Sequence, residues 1–315
     1  MKTYWLSMHV PYACRHSGAC CSSGWAIPIE HARVAPVGML RGDGSWLRPA
    51  PEAPATIAGV IAHTRDGRCV FRDEGCEIQR ALGHAALPSA CQHFPREVLI
   101  DARGAFVTLS HYCPTAADLL FDHDGPIGIV EGPPAVPVGD PEGLDARGVL
   151  PPLLSDGVLM DLEGYSAWEA HLVHVLTSDD GRTPEDALAT LGSDLGVLQQ
   201  WRPGGRSLSE AITRLPASAA GSSRAVPPIT AGPGCSPGLS DLVIRRYLAA
   251  RAFASWMAYQ AGGMAAVLTH LRLALAVLRE HHARAPLKES IRQTDLKLMH
   301  LMARDDLVAR CRTPR

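Results

Sequence analysis

From residue 153 onward the apolar positions recur with a helical period. LEGYSAWEAHLVHVLTS (162–178) keeps Leu162, Tyr165, Trp168, Leu172 and Leu176 on one face, which predicts an amphipathic helix. Thr183-Pro184-Glu185-Asp186 has the order of a helix start: a hydroxyl cap, a proline in the first turn, and acids at the positive end of the dipole. A long helical stretch begins at Ser240-Asp241, breaks at the paired Gly262-Gly263, and resumes as MAAVLTHLRLALAVLREHHARA. A last helix is predicted over 287–303.

The N-terminal part is patterned differently. EVLIDARGAFVTLS (97–110) is two β-rich runs joined by Asp101-Ala102-Arg103-Gly104, which predicts a hairpin and is the one good strand signal. Residues 122–152 are dense in Pro and Gly and read as an irregular connector. Residues 216–238, small and proline-rich, read as a mobile loop that carries Cys235 as a bystander. The expected fold is therefore mainly α with a small N-terminal β-hairpin. A metal-cluster-stabilised N-terminal region (1–121) would pack, through the connector, on a helical half (153–315).

The formal net charge of −2 and a pI near 6.7, with no long run of one sign, leave no electrostatic footprint for nucleic acid. The N-terminus lacks the sustained apolar core and small-residue cleavage site of a secretory signal. Residues 253–278 are apolar but interrupted by Gln260, Thr269, His270 and Arg272, which favours a buried helix pair over a membrane span. A cytoplasmic protein is expected.

That compartment changes how the nine cysteines are read: 14, 20, 21, 69, 76, 91, 113, 235 and 311. Cytosolic thiols stay reduced, so a disulfide scaffold is disfavoured. Cys14, Cys20 and Cys21 lie together in CRHSGACC. Cys69 and Cys76 flank the turn former Arg72-Asp73-Glu74-Gly75, which can fold two thiolates onto one ion. Cys91 precedes the hairpin. Cys113 closes it as the expected N-cap of a helix opened by Pro114, where the dipole favours thiolate. These seven are the candidate metal ligands. Thiol-rich sets select zinc or iron–sulfur clusters. Two CxxC knuckles are missing, and an adjacent Cys20-Cys21 pair suits a cluster of several irons, so a [4Fe-4S] cluster is favoured over zinc.

Taken together, Cys14-x5-Cys20-Cys21 with Gly24-Trp25, C-x6-C with Glu77-Ile78-Gln79, LPSACQHFPRE and LSHYCP-x-AA resemble the cysteine-cluster proteins described as zinc- or iron-chelating domains. Within that group the chain is most similar to the flagellin lysine N-methylase branch, including YLAARAFASWMAYQ and LKESIRQTDLKLMH in the helical half. The family pattern is often C-x2-C-x2-C-C, and Ser17 stands where its second cysteine would be. The resemblance implies an iron–sulfur protein that transfers a methyl group from S-adenosylmethionine to a lysine of a protein substrate such as flagellin. The residues themselves do not display that chemistry: the chain has neither a glycine-rich nucleotide loop after a strand nor a CxxxCxxC motif. A non-catalytic chelating module and a redox protein are the alternatives.

His16, His84, His93 and His111 lie near cysteines and could replace a thiolate, although a turn or surface role is the simpler reading of each. Arg96 could neutralise a thiolate-bound cluster. Tyr247, Arg251, Trp256 and Tyr259 read as a core stripe, and Asp295 and His300 as substrate contacts by resemblance only.

Overall fold

The computed structural model describes residues 1–136, 141, 143–215, 237–260, 262–302 and 304–311; the proposed mobile loop, up to residue 236 and including Cys235, lies outside them. The predicted hairpin is present, with Arg96–Asp101 antiparallel to Gly104–Leu109 in continuous register from Arg96↔Leu109 to Asp101↔Gly104. Asp101 accepts the Arg103 N–H at 2.8 Å and closes the turn. Gly104 adopts φ +145, and a Cβ there would meet the Lys2 carbonyl at 2.7 Å, so this position needs glycine.

That near-collision marks what hydrophobic patterning did not reveal. The hairpin is the centre of a five-stranded mixed sheet, ordered Ile129–Glu131, Thr3–Leu6, Gly104–Leu109, Arg96–Asp101, Gly143–Asp145. Thr3–Leu6 runs parallel to Gly104–Leu109, and the presumed irregular connector supplies both edge strands. A second sheet pairs Pro28–Glu30, Ile57–Ile61 and Leu47–Arg48, and a third pairs Leu153–Ser155 with Val158–Leu159. The expectation of a mainly α fold with one small hairpin is therefore corrected: the chain is about 47% helical and 15% strand, with sheets distributed along it.

The other half of that expectation, an N-terminal region held by a metal cluster around a thin core, also fails. Among the described residues no group of three or more His, Cys, Asp or Glu side chains is arranged to hold a metal ion. The region has its own apolar core instead, in which Ile29, Val37, Trp46, Ile61, Phe71 and Ile78 pack around Cys21 and Cys69. Trp46 meets Phe71 edge to face, with ring centroids 5.5 Å apart.

Strand alternation sorts the five-stranded sheet into two buried faces. Leu99 and Phe106 point into the main core with Trp168, Tyr247 and Phe253, whereas Val98, Ile100 and Val107 face a smaller cluster with Trp5 and Cys113. The main core is built by the helices Leu162–Thr177, Pro184–Leu198, Pro237–Ala252 and Met264–His282. Thr183 caps its helix as expected, accepting the Asp186 N–H at 3.1 Å. The long helix stops at Ala252, earlier than the paired glycines. A short turn of helix (Met257–Gln260) follows, and Gly263 (φ +83) packs its α-carbon against the Leu153 carbonyl. The last predicted helix is regular over Leu287–Asp295, widens to a π-helical turn at Leu296–Leu301, and is followed by Arg304–Cys311. No described helix is long and apolar enough to cross a membrane.

Candidate metal centre in a thiol-lined cavity

CRHSGACC is a loop that docks on the Cys69–Cys76 turn. The short helical turn Ala19–Ser22 carries Cys20 and Cys21. It is fastened by the Cys69 N–H donated to the Cys21 carbonyl at 2.8 Å and by Arg72 Nε donated to the Gly18 carbonyl at 3.3 Å. Arg72 and Cys76 face each other as an antiparallel bridge, so the Arg-Asp-Glu-Gly turn brings Cys69 and Cys76 back toward one another. His16, in the left-handed region at φ 54, curls the loop so that its N–H is donated to Cys14 Sγ at 3.4 Å.

The result is a knot of four thiols. Cys21, buried, has Cys20, Cys69 and Cys76 as interacting thiol neighbours. Those interactions push the Cys21 thiol far up, starting with the one with Cys20, while the same contacts lower Cys20 and Cys69. The Cys76 thiol is pulled down, first by its interaction with Cys21, which favours its thiolate over those of its neighbours. These four thiols lie near one another, but among the described residues no group of three or more is arranged to hold a metal ion. Their donor chemistry and crowding nevertheless fit a thiolate-bound metal, because deprotonation and metal binding are linked.

Beside the knot lies an open cavity of about 500 Å³, bordered by Cys14, Cys20, Cys21, Cys76, Cys91 and Cys113. Cys69 does not border it. Cys91 is held on the short helix Ser89–His93, whose start donates the Ser89 N–H to Glu30 at 3.0 Å; burial pushes its thiol well up. Cys113 is the N-cap of Pro114–Asp118, as its sequence position predicts, and its Sγ lies 3.6 Å from the Tyr12 hydroxyl. Arg96 stacks over the Tyr12 ring at 5.3 Å. It is therefore near the thiols but does not border the cavity. All eight described cysteines are free; Cys311 is buried elsewhere, in the main core.

The other sequence candidates divide. His16 and His84 border the cavity. His111 does not: fully buried, it lies 3.2 Å from His9 (Nε2 to Nε2) and donates its backbone N–H to Asp295. Asp295 and Tyr247 belong to that same buried network rather than to an exposed substrate surface, the Tyr247 hydroxyl donating to Asp295 at 2.8 Å. Arg251 donates to Glu97 at 3.0 Å and to the Leu109 carbonyl at 2.7 Å, Trp256 to the Val98 carbonyl at 3.1 Å, and Tyr259 to Asp101 at 2.8 Å. The stripe lies in the core as expected, with Tyr247 and Arg251 buried and Trp256 and Tyr259 packed against it, and Arg251, Trp256 and Tyr259 also anchor to the sheet. His300 packs at a tilt against Trp25, with ring centroids 4.5 Å apart, and reaches Ser110 at 2.7 Å; burial pulls it down to about 4, so it is neutral at pH 7. Residues that sequence reasoning missed at the cavity are Tyr12, Gln79, Leu87 and Phe94. Only their nearness to cysteines in the chain hinted at them.

The chain matches no family model, no curated protein and no solved structure.

Proposed function

We propose that the thiol-lined cavity binds a thiolate-held metal centre, an iron–sulfur cluster in the first place, in a cytoplasmic protein-lysine N-methylase of the flagellin methylase type. The observation that carries the metal reading is that six cysteines from separate segments border one open cavity. Chance burial scatters thiols singly; it does not gather them at one solvent-accessible place. Cys20, Cys21, Cys76 and Cys91 are the ligands we favour, because all four border the cavity, brought there from three separate stretches of the chain. A bound cluster would supply redox chemistry and Lewis-acidic iron at that position. The protein's own part is to release the Cys21 proton as metal binds, to present the Cys76 thiolate, and to keep the site partly dry with Leu87 and Phe94.

Methyl transfer is supported by the motif resemblance and by an open cavity beside the thiols. In that reaction the neutral ε-amine of lysine attacks the methyl carbon of S-adenosylmethionine. The sulfonium C–S bond breaks with its electron pair going to sulfur, and the amine then loses a proton to solvent. A second reading, a zinc-chelating module, is favoured by the nearness of Cys20, Cys69 and Cys76 to Cys21, four thiols that would have to rearrange to surround a single tetrahedral zinc.

The test is transfer of labelled methyl groups from S-adenosylmethionine to flagellin by anaerobically purified protein. Cys20→Ser and Cys91→Ser should lose both iron and transfer, while Cys311→Ser, outside the cavity, keeps both. Transfer that persists in iron-free Cys20→Ser protein would sink the cluster's role, and no transfer by iron-loaded wild type would sink the methylase.

A further inference from the structure

A second cavity, of about 110 Å³, lies between the sheet and the helical half and shares no lining residue with the thiol cavity. At liquid density that space equals about three to four waters. Its walls include Phe253, Met257, Met299 and Met302, apolar and mostly unbranched. Its polar groups are few and oriented. Glu97 gives one oxygen to Arg251, while its Oε1 is buried and has no hydrogen-bond partner among the described residues. His270, 3% exposed, has both ring nitrogens buried and unpartnered among the described residues. Leaving such groups unpaired is costly, and the Glu97 oxygen and the lone-pair nitrogen of His270, on residues bordering one cavity, call for a ligand that donates to them.

The charge balance says which kind. Arg251 lies 3.0 Å from Glu97 and 3.8 Å from Asp295, so two carboxyl groups share one guanidinium, and burial together with the Asp295 charge pushes the Glu97 carboxyl up, the mark of a site short of positive charge. Burial pulls His270 down to about 4, so at neutral pH its ring adds no positive charge and offers a lone pair. A cation with N–H donors would offset the excess charge and satisfy both acceptors, and the methionine-lined wall suits a short methylene chain.

We propose that this cavity binds a primary alkylammonium group, with Glu97 Oε1 and His270 accepting from the ammonium and the Met257, Met299 and Met302 wall holding its aliphatic stem. The group can come from a lysine side chain of a protein or from a free diamine. The inference does not depend on the thiol centre, since the two cavities have no residue in common.

Calorimetric titration of the full-length protein with n-butylamine and with n-butanol tests it. n-Butylammonium should bind in the millimolar range, as suits so small a ligand, and n-butanol at least tenfold more weakly. Glu97→Gln should weaken n-butylammonium at least tenfold. Met302→Trp, which fills the cavity and leaves the Glu97–Arg251 pair in place, should abolish binding with the thermal transition intact. Tighter binding of an Nα-acetyl-lysine amide than of 1,4-diaminobutane assigns the site to protein lysine, and the reverse order to a free amine. Absence of heat with n-butylamine, or equal affinity for n-butanol, overturns the proposal. Cys20→Ser protein should bind n-butylamine as wild type does, so failure here and failure of the metal reading remain distinguishable.

Discussion

Replacing Asp295 by alanine is expected to lower the unfolding free energy by about 3–5 kcal/mol, the cost of breaking a fully buried charge network by removing one partner. Asp295 is 0% exposed. It accepts the Tyr247 hydroxyl and the His111 backbone N–H and lies 3.8 Å from Arg251. Its removal leaves the Arg251 charge with Glu97 alone and orphans two donors in the interior. Burial by itself would raise the Asp295 pKa, yet Arg251 and the hydrogen bonds from His111 and Tyr247 hold the carboxyl below its ordinary value. A depressed folded pKa means that the unfolded chain binds the proton more readily. The contribution is therefore complete above the unfolded carboxylate pKa, about 3.9, and is lost as pH falls through the more acidic folded value. Asp295→Asn, which keeps an acceptor for Tyr247, should cost less than Asp295→Ala. Urea unfolding at pH 7.5 followed by circular dichroism measures both; a loss below about 1 kcal/mol for the alanine variant would mean that the network does not join the sheet to the helices.

The second large effect is expected at Phe71, 0% exposed at the centre of the thiol-bearing region. Phe71→Ala should cost about 3–5 kcal/mol, the usual loss for a buried aromatic whose site cannot collapse. Because Phe71 packs in the same cluster as Cys21 and Cys69, the loss has a local signature. In metal-free wild-type protein, exposed Cys14 should react quickly with a thiol reagent, while buried Cys21 and Cys69 stay protected. In metal-free Phe71→Ala protein, Cys21 and Cys69 should also react quickly. Equal and rapid reaction of both thiols in metal-free wild type would show that the apolar core does not hold this region by itself.

How much of this was legible in the sequence depends on how local each signal is. The helix at 162–177 and the cap at Thr183 could be read because their information lies within a few residues. The hairpin could be read because two β-rich runs flank a turn former. Its parallel partner could not: Thr3–Leu6 pairs with a strand about a hundred positions away, and four residues carry no usable period. The same holds for Pro28–Glu30 and Leu47–Arg48, strands of three and two residues. Arg251 read as part of a core stripe and Asp295 as a substrate contact by resemblance, and neither reading foresaw their meeting with Glu97, because what joins them is contact between elements distant in sequence. The cysteines were the exception. Turns, caps and strand ends are where a chain returns to the same place, and six of the seven thiols at such junctions border one cavity, although among the described residues they form no metal-holding group.

The most direct measurement is the iron, acid-labile sulfide and zinc content of anaerobically purified wild-type protein, read together with its visible spectrum. A brown protein with iron and sulfide in comparable amounts is the predicted result. A colourless protein carrying one zinc and no sulfide would contradict the cluster and leave Cys20, Cys21, Cys69 and Cys76 as a zinc site.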